Sequence, residues 1–205
     1  MKTKLMIINK SSDQNNSNVV FFKRNLAGWD SPAIAWRVIS LDGTTAFSEF
    51  SYNTSFFIST QDSYGNISDP KEAKFGQNWK VFEIPSGKMI KDTGAPAIKS
   101  DEIELKNQLM KGSINAHLYN EGFLIAAETG IAPGQKGIIG LDHHIYVGVS
   151  SQVKEGEEIN SAILNDINQS FSLVGITKAE LIVTGGGQGP NAEPFQFELV
   201  PLSYA

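Results

Sequence analysis

The feature that most constrains the fold of this chain is the spacing of its apolar residues. Apolar side chains mostly alternate with polar ones or form short runs, and Gly, Asn, Asp and Pro separate these segments. Alternation is typical of strands with one buried face, and short apolar runs are typical of strands covered on both faces. The pattern therefore predicts a mainly β protein, an antiparallel β-sandwich whose strands are joined by tight turns.

One segment departs from this pattern. Within residues 155–171, Ile159, Ile163, Ile167 and Phe171 recur every fourth residue, a spacing that places them on one face of a helix. Several glutamates stand near the start of the segment, where the positive end of a helix dipole stabilises acidic side chains. We therefore predict one amphipathic helix near 155–171.

The length of 205 residues suits one large domain, and we predict that residues 1–205 form a single globular unit. A second interpretation divides the chain into halves, 1–90 and 101–205, joined by a crossing that contains glycine and proline. Weak similarity between the segments that begin at Asn9 and Asn107 leaves open the hypothesis that the two halves are related.

Composition excludes several classes of protein. The chain has no cysteine, so disulfides, thiolate catalysis and cysteine-ligated metals are excluded. The net charge of −5 argues against a nucleic-acid partner, which needs a basic face. No window reaches the ~18 apolar residues of a membrane-spanning helix. The four apolar residues from Leu5 to Ile8 are too few for a secretory signal, which predicts a cytoplasmic protein and leaves non-classical release open.

The loop that runs from Asp62 to Asp69 is rich in oxygen-bearing side chains, among them Asn66. Calcium binds six to eight oxygens of this kind, but the loop lacks the regular spacing and the closing glutamate of a helix-loop-helix calcium site. Asp, Ser, Gly and Asn are also the residues that a tight turn selects. The turn is the favoured interpretation, and a sugar-binding or calcium-binding loop is the alternative, with Asp62, Asn66 and Asp69 as ligand-binding candidates.

Two further loops hold candidate ligand-binding residues. Trp29 stands in a loop between Gly28 and Pro32, where its ring either covers one end of the sandwich or is exposed to bind a sugar. Gly186 and Gln188 belong to a glycine-rich segment that follows an apolar strand. Because that segment lacks the Gly-Lys-Ser/Thr ending of a phosphate loop, an exposed hairpin is the favoured interpretation.

The histidines are the candidate metal ligands. Asp142, His143 and His144 are consecutive, and His117 is the third histidine of the chain; these donors suit zinc or copper. Neighbouring residues of a strand point to opposite faces, so His143 and His144 do not easily share one ion. Histidines in a hairpin turn are therefore favoured over a metal site, and we expect no cofactor.

Catalytic machinery is sparse in the sequence. No Gly-x-Ser-x-Gly motif occurs, and the carboxylates of Asp101, Glu102 and Glu104 lie in one charged run. We interpret this run as a solvated strand edge, since charge on an edge strand deters aggregation. The sequence favours a protein that is not an enzyme.

Five stretches carry a resemblance to a known group of proteins. They are residues 18–25, 35–39, 62–66, 130–136 and 184–187, which contain Val-Val-Phe-Phe, Ala-Trp-Arg-Val-Ile, Asp-Ser-Tyr-Gly-Asn, Ala-Pro-Gly-Gln and Thr-Gly-Gly-Gly. With them the chain resembles a group of small bacterial and fungal hypothetical all-β proteins. The resemblance implies one whole domain and carries no activity, cofactor or site.

Together these observations favour a non-enzymatic binding or self-associating β-sandwich protein. It would recognise a small molecule, a glycan or a partner surface through its loops, and its edge strands leave a homo-oligomer open. A membrane-active, toxin-like protein whose helix inserts is one alternative. A metal-dependent enzyme that uses the histidines and Asp142 is the other.

Overall fold

The computed structural model describes residues 2–13, 16–28, 31–41, 47–160 and 169–205, with Phe47 by its backbone only. These residues form seventeen strands and one short 3-10 turn, Gly189–Asn191. The strands are β1 (Lys2–Asn9), β2 (Asn18–Lys23), β3 (Ala33–Ser40), β4 (Phe47–Asn53), β5 (Phe56–Asp62), β6 (Lys71–Ala73), β7 (Gln77–Ile84), β8 (Gly87–Pro96), β9 (Glu102–Asn107), β10 (Ile114–Asn120), β11 (Phe123–Ile131), β12 (Lys136–Gly140), β13 (His144–Ser150), β14 (Glu158–Ile159), β15 (Gln169–Ser172), β16 (Ile176–Gly186) and β17 (Glu193–Tyr204). The prediction of a mainly β protein is confirmed.

The chain divides into two compact units. The first unit comprises Met1–Phe22, Ala35–Thr54 and His143–Ala205, and the second comprises Lys23–Ile34 and Ser55–Asp142. The units are thus interleaved along the sequence, unlike the consecutive halves 1–90 and 101–205. The segment expected to cross between those halves contains β8, a strand of the second unit that pairs with β7. The hypothesis that the two halves of the sequence are related by duplication stays a prediction.

The first unit is built from two sheets, with strand orders β17-β16-β1-β4 and β14-β3-β2-β13-β15. Strand β1 pairs in parallel with β16 and antiparallel with β4. The ring of Phe50 on β4 lies 4.8 Å from Phe21 on β2 and 5.4 Å from Trp36 on β3, measured between centroids. These edge-to-face contacts join the two sheets, and all three side chains are buried.

The second unit also contains two sheets, with strand orders β11-β10-β5-β6 and β12-β9-β7-β8. The pair β7–β9 is parallel, whereas β10–β11, β5–β10, β9–β12, β5–β6 and β7–β8 are antiparallel. Trp79 and Val81 are buried on β7 and Leu118 is buried on β10, as alternation predicts. The buried amide of Asn107 on β9 donates to the carbonyl of Ile131 on β11 over 2.9 Å, which ties one sheet to the other.

The prediction of a helix near 155–171 is wrong at both ends of that segment. Glu158–Ile159 forms β14 and Gln169–Ser172 forms β15, at the two edges of the five-stranded sheet. Residues 161–168, the middle of the predicted helix, lie outside the described residues. A repeat of four residues is also two periods of a strand, so the same isoleucines satisfy both patterns. The backbone bonds between Ala35 and the turn at 156–157 show that strand pairing prevails here.

The interpretation of the charged run at 101–104 as a solvated edge is also wrong. Glu102 is 6% exposed and Glu104 is fully buried. Strand β9 lies between β12 and β7 and so is an inner strand of its sheet. Alternation places both carboxylates on the same side of that inner strand, where solvent does not reach them.

The buried Glu104 carboxylate is held by three donors. Lys136 Nζ lies 2.6 Å and Asn78 Nδ2 2.9 Å from its Oε2, and the backbone N–H of Ile98 donates to its Oε1 over 3.0 Å. Burial raises the pKa of Glu104, but the hydrogen bonds from Lys136 and Ile98 and the charge of Lys136 together lower it below its ordinary value of 4.5. Glu104 is therefore a buried ion that stabilises the fold only while it is charged.

We predict that Glu104→Gln lowers the free energy of unfolding at pH 7 by roughly 2–4 kcal/mol. The difference from the wild type should shrink as the pH falls below 4.5, because the unfolded chain binds a proton before the folded chain does. Urea unfolding between pH 3 and pH 7 measures both effects. Asp101→Asn, at an exposed position of the same run, is the matched control; an equal loss in both variants would contradict the prediction.

Lys23 is a second buried ion. Its side chain, at the end of β2, is 1% exposed, and its Nζ donates to the backbone carbonyl of Asp142 over 2.6 Å. Burial lowers the pKa of Lys23 to about 8, although the charge of Asp142 opposes the shift. The folded protein therefore releases this proton more readily than the unfolded chain does.

We expect stability to rise between pH 8 and pH 10.5, where the unfolded chain still holds the Lys23 proton and the folded chain does not. The slope from this group approaches about 1.4 kcal/mol per pH unit, and the contribution disappears as the pH falls through 8. Lys23→Met should remove this slope, whereas Lys106→Met, at an exposed position of β9, should keep it. Denaturant unfolding across that pH range tests the difference; a slope unchanged in Lys23→Met would refute it.

Candidate functional site

The second unit contains a cavity of about 310 Å³ at one end of its two sheets. Its walls come from the end of β5 and the turn that follows, from β7 and β8 of the opposite sheet, and from the start of β10. Val81 and Ile114, which are buried, contribute apolar surface. The polar side chains that line the cavity are Thr60, Asp62, Asn66, Ser68, Glu83 and Lys88.

Asp62 organises the turn beside this cavity. Its Oδ1 accepts hydrogen bonds from the backbone N–H groups of Tyr64, over 2.9 Å, and Asn66, over 3.0 Å. The backbone of Asp62 also bonds to Gly65 and Asn66, and Gly65 has a φ of 85°, which glycine adopts without strain. This arrangement is the tight turn that the sequence favours, and it leaves Asp62 in a structural role.

The other Asp62 oxygen links the turn to the opposite sheet. Lys88 Nζ on β8 lies 2.5 Å from Oδ2, and the Asn66 amide donates to the same oxygen over 3.2 Å. The hydrogen bond from Lys88 holds the pKa of Asp62 well below its usual range; burial opposes the shift, and the bonds from Asn66 and Tyr64 add to it. Asp62 is therefore ionised at neutral pH, and both of its oxygens are occupied.

Three polar groups of the cavity remain available to a ligand. Glu83 on β7 is exposed, and among the described residues its carboxylate has no side-chain hydrogen bond. The Ser68 hydroxyl accepts from the backbone N–H of Thr60 over 2.9 Å and from its hydroxyl over 3.3 Å, so its own proton is free to donate. The side-chain NH₂ of Asn66 donates to Asp62. The side-chain oxygen of Asn66, Oδ1, remains as an acceptor.

Two large side chains of the turn are exposed at the rim of the cavity. Tyr64 is 85% exposed and Ile67, which lines the cavity, is 55% exposed. Tyr64 does not itself line the cavity, but Lys88, which does, has its Nζ 5.8 Å from the centroid of the Tyr64 ring, within cation–π distance. The rim thus combines an aromatic surface with charged and hydroxyl groups.

A second cavity, of about 280 Å³, lies in the first unit. Its walls include Asn9 and Arg37, and the Arg37 guanidinium lies 3.5 Å from the Glu155 carboxylate. Among the residues that the structure describes, none predicted as ligand-binding or metal-binding lines this cavity.

The glycine-rich segment joins β16 to β17 and lies in the first unit. At Gly185 a Cβ atom would stand 2.2 Å from the carbonyl oxygen of Pro194, so this glycine permits a close approach of the two strands. Gly186 has a φ of 81°, and Gln188 is exposed next to the 3-10 turn. The exposed hairpin is therefore the better description of this segment, and neither Gly186 nor Gln188 lines a described cavity.

Across the part of the chain that the structure describes, no three His, Asp or Glu side chains form a group that could hold a metal ion. The predicted ligands His117, Asp142, His143 and His144 are thus not brought together as a set. His117 lies on β10, where its Nδ1 is 3.5 Å from the Tyr119 hydroxyl and burial lowers its pKa. Its imidazole is therefore neutral at physiological pH.

Of the predicted ligand-binding residues, the structure places Asp62 and Asn66 at the cavity. Asp69 is exposed and does not line it, and Trp29 lies outside the described residues. Sequence reasoning missed Glu83 and Lys88, which face each other in the β7–β8 pair. The Pro-Ser-Gly turn at 85–87 that joins them is the signal that could have paired them.

Comparisons of the chain with protein families, curated proteins and solved structures find no match. No described helix is long and apolar enough to span a membrane.

We predict that Asp62→Ala loosens the turn, because the N–H groups of Tyr64 and Asn66 lose their common acceptor. Hydrogen exchange at these two amides should become about tenfold faster. Asp69→Ala, which removes a nearby exposed carboxylate, is the control and should leave both rates unchanged. Exchange measured by NMR tests this, and equal rates in Asp62→Ala and the wild type would show that Asp62 does not hold the turn.

Proposed function

We propose that this chain is a non-enzymatic binding protein that takes up a small polar molecule in the cavity of the second unit. The observation that carries the proposal is the cavity itself, where an ordered turn, an available carboxylate and exposed apolar groups meet. Sites for small molecules combine apolar walls with a few placed polar groups in this way. The volume of about 310 Å³ is at the lower end of their range.

Preorganisation supports the proposal. The Asp62 carboxylate fixes the turn and the Lys88 ammonium before any ligand arrives. A ligand that meets groups already in place loses less free energy to the ordering of side chains. The cavity is thus suited to bind a ligand without rearranging.

The chemistry of the two carboxylates favours binding over catalysis. A pair of carboxyl groups that acts as acid and base needs one member with a raised pKa. Here Lys88 holds the pKa of Asp62 low and occupies one of its oxygens. Asp62 therefore serves as an anchor for the turn, and Glu83 is the carboxylate that faces a ligand.

The cellular setting of the protein is also a proposal. We infer a cytoplasmic location, supported by a chain without cysteine, since small extracellular domains more often carry disulfides. Self-association through edge strands stays a hypothesis. In β17 the backbone nitrogens of Pro194 and Pro201 have no hydrogen to donate, and proline on an edge strand limits pairing with a second copy.

The test is a screen of a small-molecule library by thermal shift and native mass spectrometry on the full chain. Glu83→Trp should fill the cavity and abolish binding, whereas Glu72→Trp places the same side chain at an exposed position of β6 outside the cavity. We expect ligands that bind the wild type and Glu72→Trp and do not bind Glu83→Trp. A screen without any ligand, or ligands that bind Glu83→Trp equally well, would overturn the proposal.

A further inference from the structure

We infer that the ligand of this cavity is an uncharged pyranose ring of a saccharide, with Tyr64 and Ile67 against its apolar face and Glu83 bound to its hydroxyl groups. This inference rests on the proposed function and names its ligand class. Three properties of the site lead to it: its charge, its hydrogen-bonding groups and its exposed rim.

The charge of the cavity disfavours anionic ligands. Asp62, Glu83 and Lys88 are its charged side chains, and the 2.5 Å contact between Lys88 and Asp62 neutralises that pair. The carboxylate of Glu83 is then the remaining charge among the side chains of the cavity. A phosphate, sulfate or carboxylate on the ligand would meet this negative charge without a free cation to offset it. Phosphorylated, sulfated and acidic sugars should therefore bind more weakly than uncharged ones.

The available hydrogen-bonding groups match a polyol. The Glu83 carboxylate and the side-chain oxygen of Asn66 accept hydrogen bonds. The Ser68 hydroxyl accepts from Thr60, so its own proton can be donated to a ligand. Lys88 uses one of its three donors on Asp62. A hydroxyl both donates and accepts, so neighbouring hydroxyls of a sugar satisfy such a mixed set. An amine would use only the acceptors.

The exposed rim supplies the apolar half of sugar recognition. A tyrosine that is 85% exposed beside an isoleucine that is 55% exposed presents apolar surface next to the polar cavity. The C–H groups of a pyranose ring form a flat apolar face, which packs on an aromatic ring while the hydroxyls at its edge reach polar groups. Tyr64 and Glu83 therefore contact different parts of one ring.

The experiment measures binding of uncharged and acidic glycans to the full chain, on an array and then by NMR titration. Glu83→Gln and Tyr64→Ala should each weaken binding of an uncharged glycan at least tenfold. Tyr64→Phe should keep most of the affinity, because the ring remains. Glu72→Gln, on β6, and Tyr204→Ala, at a 68% exposed tyrosine of the first unit, are matched controls that should bind like the wild type.

The outcomes separate this inference from the proposed function. If the library screen yields amines or other ligands that Glu83→Trp excludes and no saccharide binds, the inference fails and the binding function stands. If neither screen yields a ligand, both fail. Tighter binding of acidic glycans, or glycan binding that Glu83→Gln and Tyr64→Ala leave unchanged, would also overturn the inference.

Discussion

The structure depends on the burial of one face of each sheet against a second sheet. In the first unit this contact is concentrated in three rings, where Phe50 of one sheet packs edge-to-face on Phe21 and Trp36 of the other. A single sheet cannot bury such rings, and without their burial the strands would not offset the entropy lost on ordering. In the second unit the same kind of packing holds Trp79, Val81 and Leu118 in its interior, and its sheets fix the ends of the turn beside the cavity.

The buried side chains of Glu104 and Asn107 in the second unit both have hydrogen-bond partners. Glu104 is fully buried and has three donors, and the buried Asn107 amide spans the two sheets through Ile131. Asp62 follows the same rule at the end of the unit, where backbone and side-chain donors occupy its oxygens. Buried or half-buried charge thus orders the second unit, and the cavity forms beside the last of these groups.

The local part of the fold is predictable from the sequence, and the long-range part is not. Alternation correctly places Trp79 and Val81 on one buried face of a strand, and turn chemistry identifies the hairpin at 62–66. Burial of Glu104 follows from β9 becoming an inner strand, which depends on its partners β7 and β12. The four-residue repeat at 159–171 fits both helix and strand, so periodicity could not decide it. Likewise, Asp62 and Asn66 were within reach of sequence reasoning, but the contact of Asp62 with Lys88 arises from packing of two sheets.

The parallel pairing of β1 with β16 joins residues near opposite ends of the chain, as in the contact of Lys4 with Lys178. During synthesis β1 leaves the ribosome well before β16, so it must wait for this partner. Strands β5 to β12 of the second unit are continuous in sequence, and all of them emerge before that partner. Contacts between residues so distant in sequence slow folding. The first unit can therefore be completed only after β16 is made, whereas strands β5 to β12 of the second unit can pair before it.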